Sequence, residues 1–429
     1  MPEIWKHNLS YRLLRPVVDI CVYRSFRRVT IVGRENIPRD GALLVAPNHC
    51  NALMDALDIL LLFRRPVMFG SRADIFKSPV AAAVLRWLKI IPIPRERDGV
   101  EALKGGLDSV HEATAILSHG YPFCLYSEGT HRTKHSLLRI KKGIFRVAME
   151  AVRNTDGPVY ILPVGLEYGD YYRYRGTLLM NVGKPLEVRS FLAGMPDAGE
   201  AAAYRALADE LRRRLSELII CLRDDSAYED NWTLVRFLMA GRRGSLPERL
   251  DMTQRLVAGV EEAADRFPKE MKALIYKSTE LSNLRRRCGV SYLSIGRGRS
   301  ARRILGRLLQ WLAGLPYFIW SALVSLPVWL TAGIISSRLS DRAFINSVRC
   351  CVRLVGMPLM NIVWIALAFS FLPALPALAA VLLSLPSCSV FYDFCDLTRL
   401  LLSDISYALH PQIERLHLEI LRRYKVISL

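Results

Sequence analysis

Acidic residues are scarce relative to basic ones in this chain of 429 residues: 40 Asp and Glu stand against 59 Lys and Arg, for a net charge of +19. Such an imbalance predicts attraction to polyanions, of which an anionic bilayer surface and nucleic acid are the main classes. No Cys-x-x-C pair occurs among the nine cysteines, which are scattered from Cys21 to Cys395 with one adjacent doublet, Cys350 and Cys351. Neither a zinc site nor a disulfide framework is indicated, and a reduced, cytosol-facing setting is the default. His111, His119, His131 and His135 have no partner at metal-ligand spacing, so they read as surface or core histidines and no metal is implied. Gly105-Gly106 lacks the flanking pattern of a nucleotide-binding loop. No repeat period or low-complexity tract is evident, and 51% hydrophobic with 23% charged residues excludes general disorder.

Two long runs without charge stand near the C-terminus. Residues 308–337 as a helix at ~1.5 Å per residue reach about 45 Å, more than a hydrocarbon core of roughly 30 Å. Residues 354–392 form the second run and carry Pro358, Pro373, Pro376 and Pro386, which predicts a kinked helix or a hairpin. Runs of this kind favour a bilayer over nucleic acid, and no nucleic-acid motif is found. Arg297, Arg299, Arg302, Arg303 and Arg307 put the start of the first run in the cytoplasm by the positive-inside tendency. Arg338, Arg342, Arg349 and Arg353 separate the runs, so re-entrant insertion is the alternative to spanning. Residues 1–28 are broken by charge too often for a secretory signal and predict an amphipathic basic helix on a membrane surface.

Between these ends the pattern alternates. Short apolar segments at 29–37, 41–47, 67–70, 89–94, 122–126, 159–166 and 178–182 are separated by helical stretches, and the first two, with β-branched residues, flank a turn at Pro38, Arg39 and Asp40. Alternation of this kind predicts an α/β domain over residues 29–195. From 196 to 303 apolar residues recur every three or four positions among many charges, predicting an α-helical connector. Hydrophobic membrane segments then fill 304–392, and a helical tail fills 393–429.

The stretch of greatest chemical interest is NHCNALMD at 48–55, where a strand runs directly into His49 and an aspartate, Asp55, follows six positions later. Six helical steps rotate by about 600°, so the two side chains meet only if His49 lies in the turn and Asp55 in the first helical turns after it. The carboxylate then fixes the imidazole tautomer and leaves the other nitrogen free to take a proton from an acceptor hydroxyl. Arg95 and Arg97 follow a strand-like segment and suit an acceptor phosphate. Glu128, beside Gly129 and Thr130, is a candidate for acceptor hydroxyls or for organising its own loop, and Gly129 permits close backbone approach.

Taken in order, NHCNALMD at 48–55, IIPIPRERD at 90–98, YSEGTHRTKHSLLRIKKG at 126–143, ILPVGL at 161–166 and NVGKPLEV at 181–188 resemble the ordered blocks of the phospholipid and glycerol acyltransferases. The resemblance covers about residues 25–190. It implies a mixed sheet flanked by helices, followed here by the helical connector and C-terminal membrane helices. It implies His49 as general base with Asp55 as its partner, and Asn48, Arg95, Arg97, Glu128, Gly129, Thr130 and Arg132 as substrate-binding residues. It also implies acyl-CoA or acyl-ACP as the donor substrate, a glycerol-phosphate-type acceptor, no cofactor or metal, and a catalytic domain at the membrane, facing the cytoplasm.

Two departures sharpen this. Five residues separate His49 from Asp55, as in the branch that resembles glycerol-3-phosphate and dihydroxyacetone-phosphate acyltransferases, and Tyr126-Ser127 replaces the usual Phe-Pro. The expected activity is therefore first-step acylation of a glycerol phosphate. Lysophosphatidate, lysophospholipid or aminoacyl-lipid acylation are the alternatives within the class, and a non-catalytic membrane-anchored lipid-binding scaffold is the alternative outside it.

Overall fold

The computed structural model describes residues 4–6, 8–94, 100–197 and 199–427. They divide into two compact units, Met1–Ile219 with Ser336–Leu354, and Ile220–Ile335 with Val355–Leu429.

The first unit is built on a mixed sheet of β1 (Arg28–Val32), β2 (Ala42–Pro47), β3 (Met68–Arg72), β4 (Ile90–Ile93), β5 (Phe123–Cys124), β6 (Val159–Tyr168), β7 (Thr177–Val182) and β8 (Leu186–Glu187). Its order is β1-β7-β6-β2-β5-β3-β4, with β8 also pairing β6. The contacts of β6 with β7 and β8 are antiparallel and the others parallel. The turn at 38–40 therefore does not close a hairpin: β1 pairs with β7, and β2 enters the centre between β5 and β6. Every residue of β2 is buried, as the unbroken apolar run Ala42–Pro47 requires of a strand covered on both faces. Pro163 is tolerated in central β6 because it lies between Ile161, where β8 pairing stops, and Val164, where β7 pairing starts.

Helices α1 (Leu9–Arg24), α2 (Leu53–Leu60), α3 (Pro79–Trp87), α4 (Val100–Ser118), α5 (Gly143–Asn154), α6 (Val188–Ala193) and α7 (Glu200–Leu218) accompany the sheet. Helix α7, expected in the connector, belongs to this unit and buries Ala203, Leu207, Leu211 and Leu215, one face at four-residue spacing. Gly165 of β6 is required by that packing, since a Cβ there would lie 2.6 Å from the Leu218 carbonyl oxygen.

Helix α1 leaves Leu9, Leu13, Val17 and Ile20 exposed along one stripe, while Tyr11, Arg15, Cys21 and Val22 are buried. That stripe fits a helix lying in a lipid interface. Arg15 reaches the C-terminal end of α2, donating to the carbonyls of Leu60 (2.5 Å) and Phe63 (2.8 Å), and Arg34 donates to those of Leu61 and Leu62. Two cations thus sit against carbonyls at and just beyond the negative end of the helix that carries Asp55.

The second unit is helical: α8 (Tyr228–Met239), α9 (Leu246–Arg266), α10 (Pro268–Arg287), α11 (Tyr292–Arg297), α12 (Ala301–Ser337) up to Ile335, α13 (Ile345–Phe371) from Val355 onward, α14 (Ala374–Ser384), α15 (Ser387–Leu409) and α16 (Pro411–Ile427). Its core gathers Leu234, Phe237, Leu274, Leu281, Ile413 and Ile420. Among the described residues two helices, α12 and the stretch Arg342–Phe371 that contains α13, are long and apolar enough to cross a membrane, or three if the bent pair α14–α15 counts as one span. The second uncharged run is divided where its prolines demand it, at Pro373 before α14 and at Pro386 before α15, with a 53° bend at the latter. Val355, Leu359, Ile362, Val363 and Phe371 of α13 are exposed, an arrangement suited to lipid rather than water.

Candidate active site

At the C-terminal end of β2 the chain leaves the sheet through Asn48–Ala52 and enters α2 at Leu53. Ala52 takes φ 48°, a conformation L-residues rarely adopt, and so tightens the turn. The result brings Asp55, in the first turn of α2, back over the residues that precede the helix. Asp55 Oδ2 accepts hydrogen bonds from His49 Nδ1 (2.8 Å) and from the backbone N–H groups of Cys50 (2.8 Å) and Asn51 (2.7 Å). Asp55 is fully buried and the His49 side chain is 17% exposed. This is the geometry that the six-residue separation demanded: histidine in the turn, aspartate in the helix. With Nδ1 directed at the carboxylate, Nε2 is the ring nitrogen left for another partner.

The loop after β5 grips the backbone of His49 from both sides. Glu128 Oε1 accepts from the His49 N–H (2.8 Å), and the Arg132 N–H donates to the His49 carbonyl (3.0 Å). The second Glu128 oxygen accepts from the Leu138 N–H at 2.8 Å. Both carboxylate oxygens are thus used within the fold, and Glu128, 3% exposed, organises its loop rather than facing an acceptor hydroxyl. Burial raises its pKa above the ordinary glutamate value, against the lowering effect of those two backbone hydrogen bonds. Gly129 takes φ 72°, Thr130 is exposed, and the Arg132 guanidinium donates to Ser136 Oγ at 2.7 Å. Asn48 faces inward as well: its amide donates to the Leu166 carbonyl (3.1 Å) and accepts from the Leu166 N–H (2.7 Å), tying the end of β2 to β6. Arg95 and Arg97 lie outside the described residues.

Several groups at the site were not singled out from the sequence. The His49 ring stacks on Tyr126 (centroids 4.1 Å apart) and meets the edge of His131 (5.4 Å). His131, which the sequence placed among ordinary surface or core histidines, pairs with Asp341 at 2.6 Å and packs against Phe344. Asp341 also accepts from the Ala343 N–H, starting the 3-10 turn at Arg342–Phe344. Ser347 Oγ accepts from the Met54 N–H (3.0 Å) at the start of α2, an N–H shared with the Asn51 carbonyl (3.0 Å). The segment Ser336–Leu354, between the two apolar helices in the chain, therefore builds one wall of the site. No spacing rule reaches from residue 49 to 341, and the segment falls within the expected membrane segments of 304–392, where its four arginines raise only the alternative of re-entrant insertion. Tyr168 of β6 bonds to Asp55 Oδ1 (2.7 Å) and to Asp58 (2.5 Å). Asp58 had a signal: a second carboxylate three residues after Asp55, on the same buried face of α2.

Chemically, the cluster holds one imidazole against a buried carboxylate. Cys50 is not a competing nucleophile, since burial and the charge of Asp55 push its thiol well above its ordinary pKa. Among the described residues no group of three or more His, Cys, Asp or Glu is arranged to hold a metal ion.

Residues 28–167 match the family model described as Acyltransferase. The chain is similar to the 1-acyl-sn-glycerol-3-phosphate acyltransferase of Borreliella burgdorferi, 23% identical over 159 residues, which cover 37% of this chain and 59% of that protein. A protein of Chlamydomonas reinhardtii with the same description is 28% identical over 199 residues, covering 45% and 57%. The glycerol-3-phosphate O-acyltransferase 1 of Saccharomyces cerevisiae is 24% identical over 156 residues, covering 35% and 21%. The chain thus spans less than two thirds of the length of each of these curated relatives. Among solved structures, the 1-acyl-sn-glycerophosphate acyltransferase PlsC from Thermotoga maritima aligns with a TM-score of 0.35 and 20% identity, over 50% of this chain and 85% of that one.

Proposed function

We propose, from the premise that residues 28–167 carry an acyltransferase domain, that the whole chain is a membrane-bound glycerolipid O-acyltransferase. Its donor is a fatty acyl thioester, acyl-CoA or acyl-ACP, and its acceptor a hydroxyl of glycerol 3-phosphate or a related glycerol phosphate. The observation that carries the reading is the 2.8 Å contact between His49 Nδ1 and the buried Asp55 carboxylate.

In the proposed reaction His49 Nε2 takes the proton of the acceptor hydroxyl as its oxygen attacks the thioester carbonyl. The new C–O bond forms a tetrahedral intermediate, which collapses with cleavage of the C–S bond. The His49 imidazolium then returns its proton to the departing thiolate. No covalent acyl-enzyme is needed, because the acceptor itself is the nucleophile held beside its base. Asp55 keeps the ring in the Nδ1–H tautomer and stabilises the imidazolium that exists between the two proton transfers. Glu128 and Arg132 fix the backbone of His49, so the EGT loop acts by positioning the base. Arg95 and Arg97 are assigned to the acceptor phosphate on their chemistry alone.

The apolar helices and the exposed stripe of α1 hold the site at a lipid surface, and the arginines that flank the first apolar run favour the cytoplasmic face. Acceptor choice between glycerol 3-phosphate and its 1-acyl derivative is tested by offering both, at equal concentration with one labelled palmitoyl thioester, to the full chain in mixed micelles. Preference for glycerol 3-phosphate is expected. Preference for the acylated acceptor would assign the chain to the second acylation, and transfer to neither would remove this function.

A further inference from the structure

The carboxylate that activates His49 is itself held by a group with too few protons to satisfy its neighbours. Tyr168 Oη lies 2.7 Å from Asp55 Oδ1 and 2.5 Å from Asp58 Oδ2, both hydrogen-bonding distances. A phenol has one proton to give. If both carboxylates were ionised, one of these contacts would bring two oxygen lone pairs together in a site where Asp55 and Asp58 are 0% exposed and Tyr168 is 3% exposed. One more proton must be present, and the surroundings decide where it sits. Asp55 Oδ2 is met by three N–H donors, from His49, Cys50 and Asn51, so Asp55 is built to carry the charge. Asp58 has Tyr168 at one oxygen, while its other oxygen is buried without a hydrogen-bond partner. An ionised carboxylate so poorly solvated is far more costly than a neutral acid.

We propose that Asp58 and Tyr168 are positioning residues of the acyl-transfer site: Asp58, a neutral carboxylic acid, donates to the Tyr168 oxygen, and the phenol proton is thereby committed to Asp55. The order is Asp58 O–H to Tyr168 O, Tyr168 O–H to Asp55 Oδ1, and His49 Nδ1–H to Asp55 Oδ2. The inference rests on the reading of His49 and Asp55 as the working pair. Its consequence is geometric and electrostatic. Pinning Oδ1 fixes the plane of the carboxylate and so the direction of Oδ2 toward His49. The phenol proton also draws off part of the charge that Asp55 presents to the imidazole.

Other titratable groups face these residues. They are Cys50 on the turn, Tyr126 and Glu128 on the loop after β5, Glu167 on β6 and Cys350 on α13. Burial, followed by the charge of Asp55, raises Asp58 well above the ordinary aspartate value, opposed by the Tyr168 hydrogen bond. Burial likewise keeps the Tyr168 phenol protonated.

The test uses the full chain in detergent with Tyr168→Phe, Asp58→Ala and Asp58→Asn. Tyr168→Phe should lower kcat about ten- to a hundredfold, the effect of one lost hydrogen bond to a charged group, with KM for donor and acceptor nearly unchanged. It should also move the acid limb of the rate profile to higher pH, because an Asp55 without the phenol proton holds the imidazolium proton more tightly. A merely structural role would lower activity without moving that limb. Asp58→Ala should fall in the same direction. Asp58→Asn, whose amide N–H can donate to the phenol oxygen, should restore most of what the alanine loses.

Infrared difference spectra of the chain with isotope-labelled aspartate carboxyls, wild type minus Asp58→Asn at neutral pH, should show a protonated carboxyl band. Absence of that band, an acid limb unmoved in Tyr168→Phe, or an asparagine as damaging as the alanine would overturn the proposal. A wild-type chain that shows the band but transfers no acyl group would leave the proton on Asp58 and remove the positioning role along with the function it serves.

Discussion

Replacing Asp55 by asparagine removes one negative charge while leaving the local hydrogen bonds nearly complete. With its carbonyl oxygen in the place of Oδ2, asparagine still accepts from His49 Nδ1–H and from the N–H groups of Cys50 and Asn51. Its amide N–H then donates to the Tyr168 oxygen, and the phenol proton turns to Asp58 Oδ2 as the Asp58 proton moves to the second carboxyl oxygen. The fold and the histidine tautomer therefore persist, and the loss is electrostatic. With the imidazolium and carboxylate charges roughly 4 Å apart and an effective dielectric constant of about 20, their attraction is about 4 kcal/mol. Screening by water is slight, since Asp55 is fully buried and the His49 side chain is 17% exposed. At about 1.4 kcal/mol per decade, Asp55→Asn should lower kcat about a thousandfold. KM should change little, because the charge pair exists only while His49 carries the transferred proton. The acid limb of the pH profile should move to lower pH, since the neutral amide no longer favours the imidazolium. Initial rates of thiol release, with the ester product quantified in parallel, measure all three. An asparagine variant within tenfold of wild-type kcat would refute the electrostatic role given to Asp55.

Three further outcomes follow from the geometry. Asp58 keeps its proton on folding but ionises near pH ~4 in the unfolded chain, so the folded state binds more protons above that pH and stability falls by about 1.4 kcal/mol per pH unit until the raised folded value is reached; unfolding midpoints of Asp58→Asn across the acid-to-neutral range should lack that slope, and equal slopes would contradict it. Gly129→Ala forces a side chain into φ 72° with its Cβ 3.3 Å from the Lys141 side chain, and should cost about 1–2 kcal/mol of stability and loosen the Glu128 grip on His49, read by thermal unfolding and by kcat. Asp341→Ala removes both the partner of His131 and the start of the 3-10 turn; activity should drop several-fold with little change in unfolding temperature, because the Asp341 side chain is half exposed, and an unaffected kcat would show that the wall built by Ser336–Leu354 is dispensable.

Much of the site was legible because its chemistry is local in the chain. The strand ending at Pro47, the turn residues and Asp55 lie within nine positions, and helical geometry named the one arrangement in which the two side chains could meet. The burial of β2 follows from its unbroken apolar run in the same way. What side chains do inside a loop was less legible. Asn48 and Glu128 carry polar groups suited to substrate, but both are turned inward, because the backbone N–H and C=O groups of Leu166, His49 and Leu138 need partners once buried. Strand neighbours were hidden too: β1 and β2 are separated by a turn of the right composition, yet β1 finds its parallel partner in β7 nearly 150 residues later. Asp341 and Ser347 were out of reach for the same reason, since contacts across hundreds of residues leave no periodic trace.

The most direct measurement is acyl transfer from a radiolabelled palmitoyl thioester to glycerol 3-phosphate by the purified full chain and by its His49→Ala variant, both shown to be folded by their unfolding transitions. Labelled lysophosphatidate from the wild type, and its loss in the variant at unchanged stability, is the predicted result. Equal transfer by the two proteins would contradict the assignment of His49 as the base.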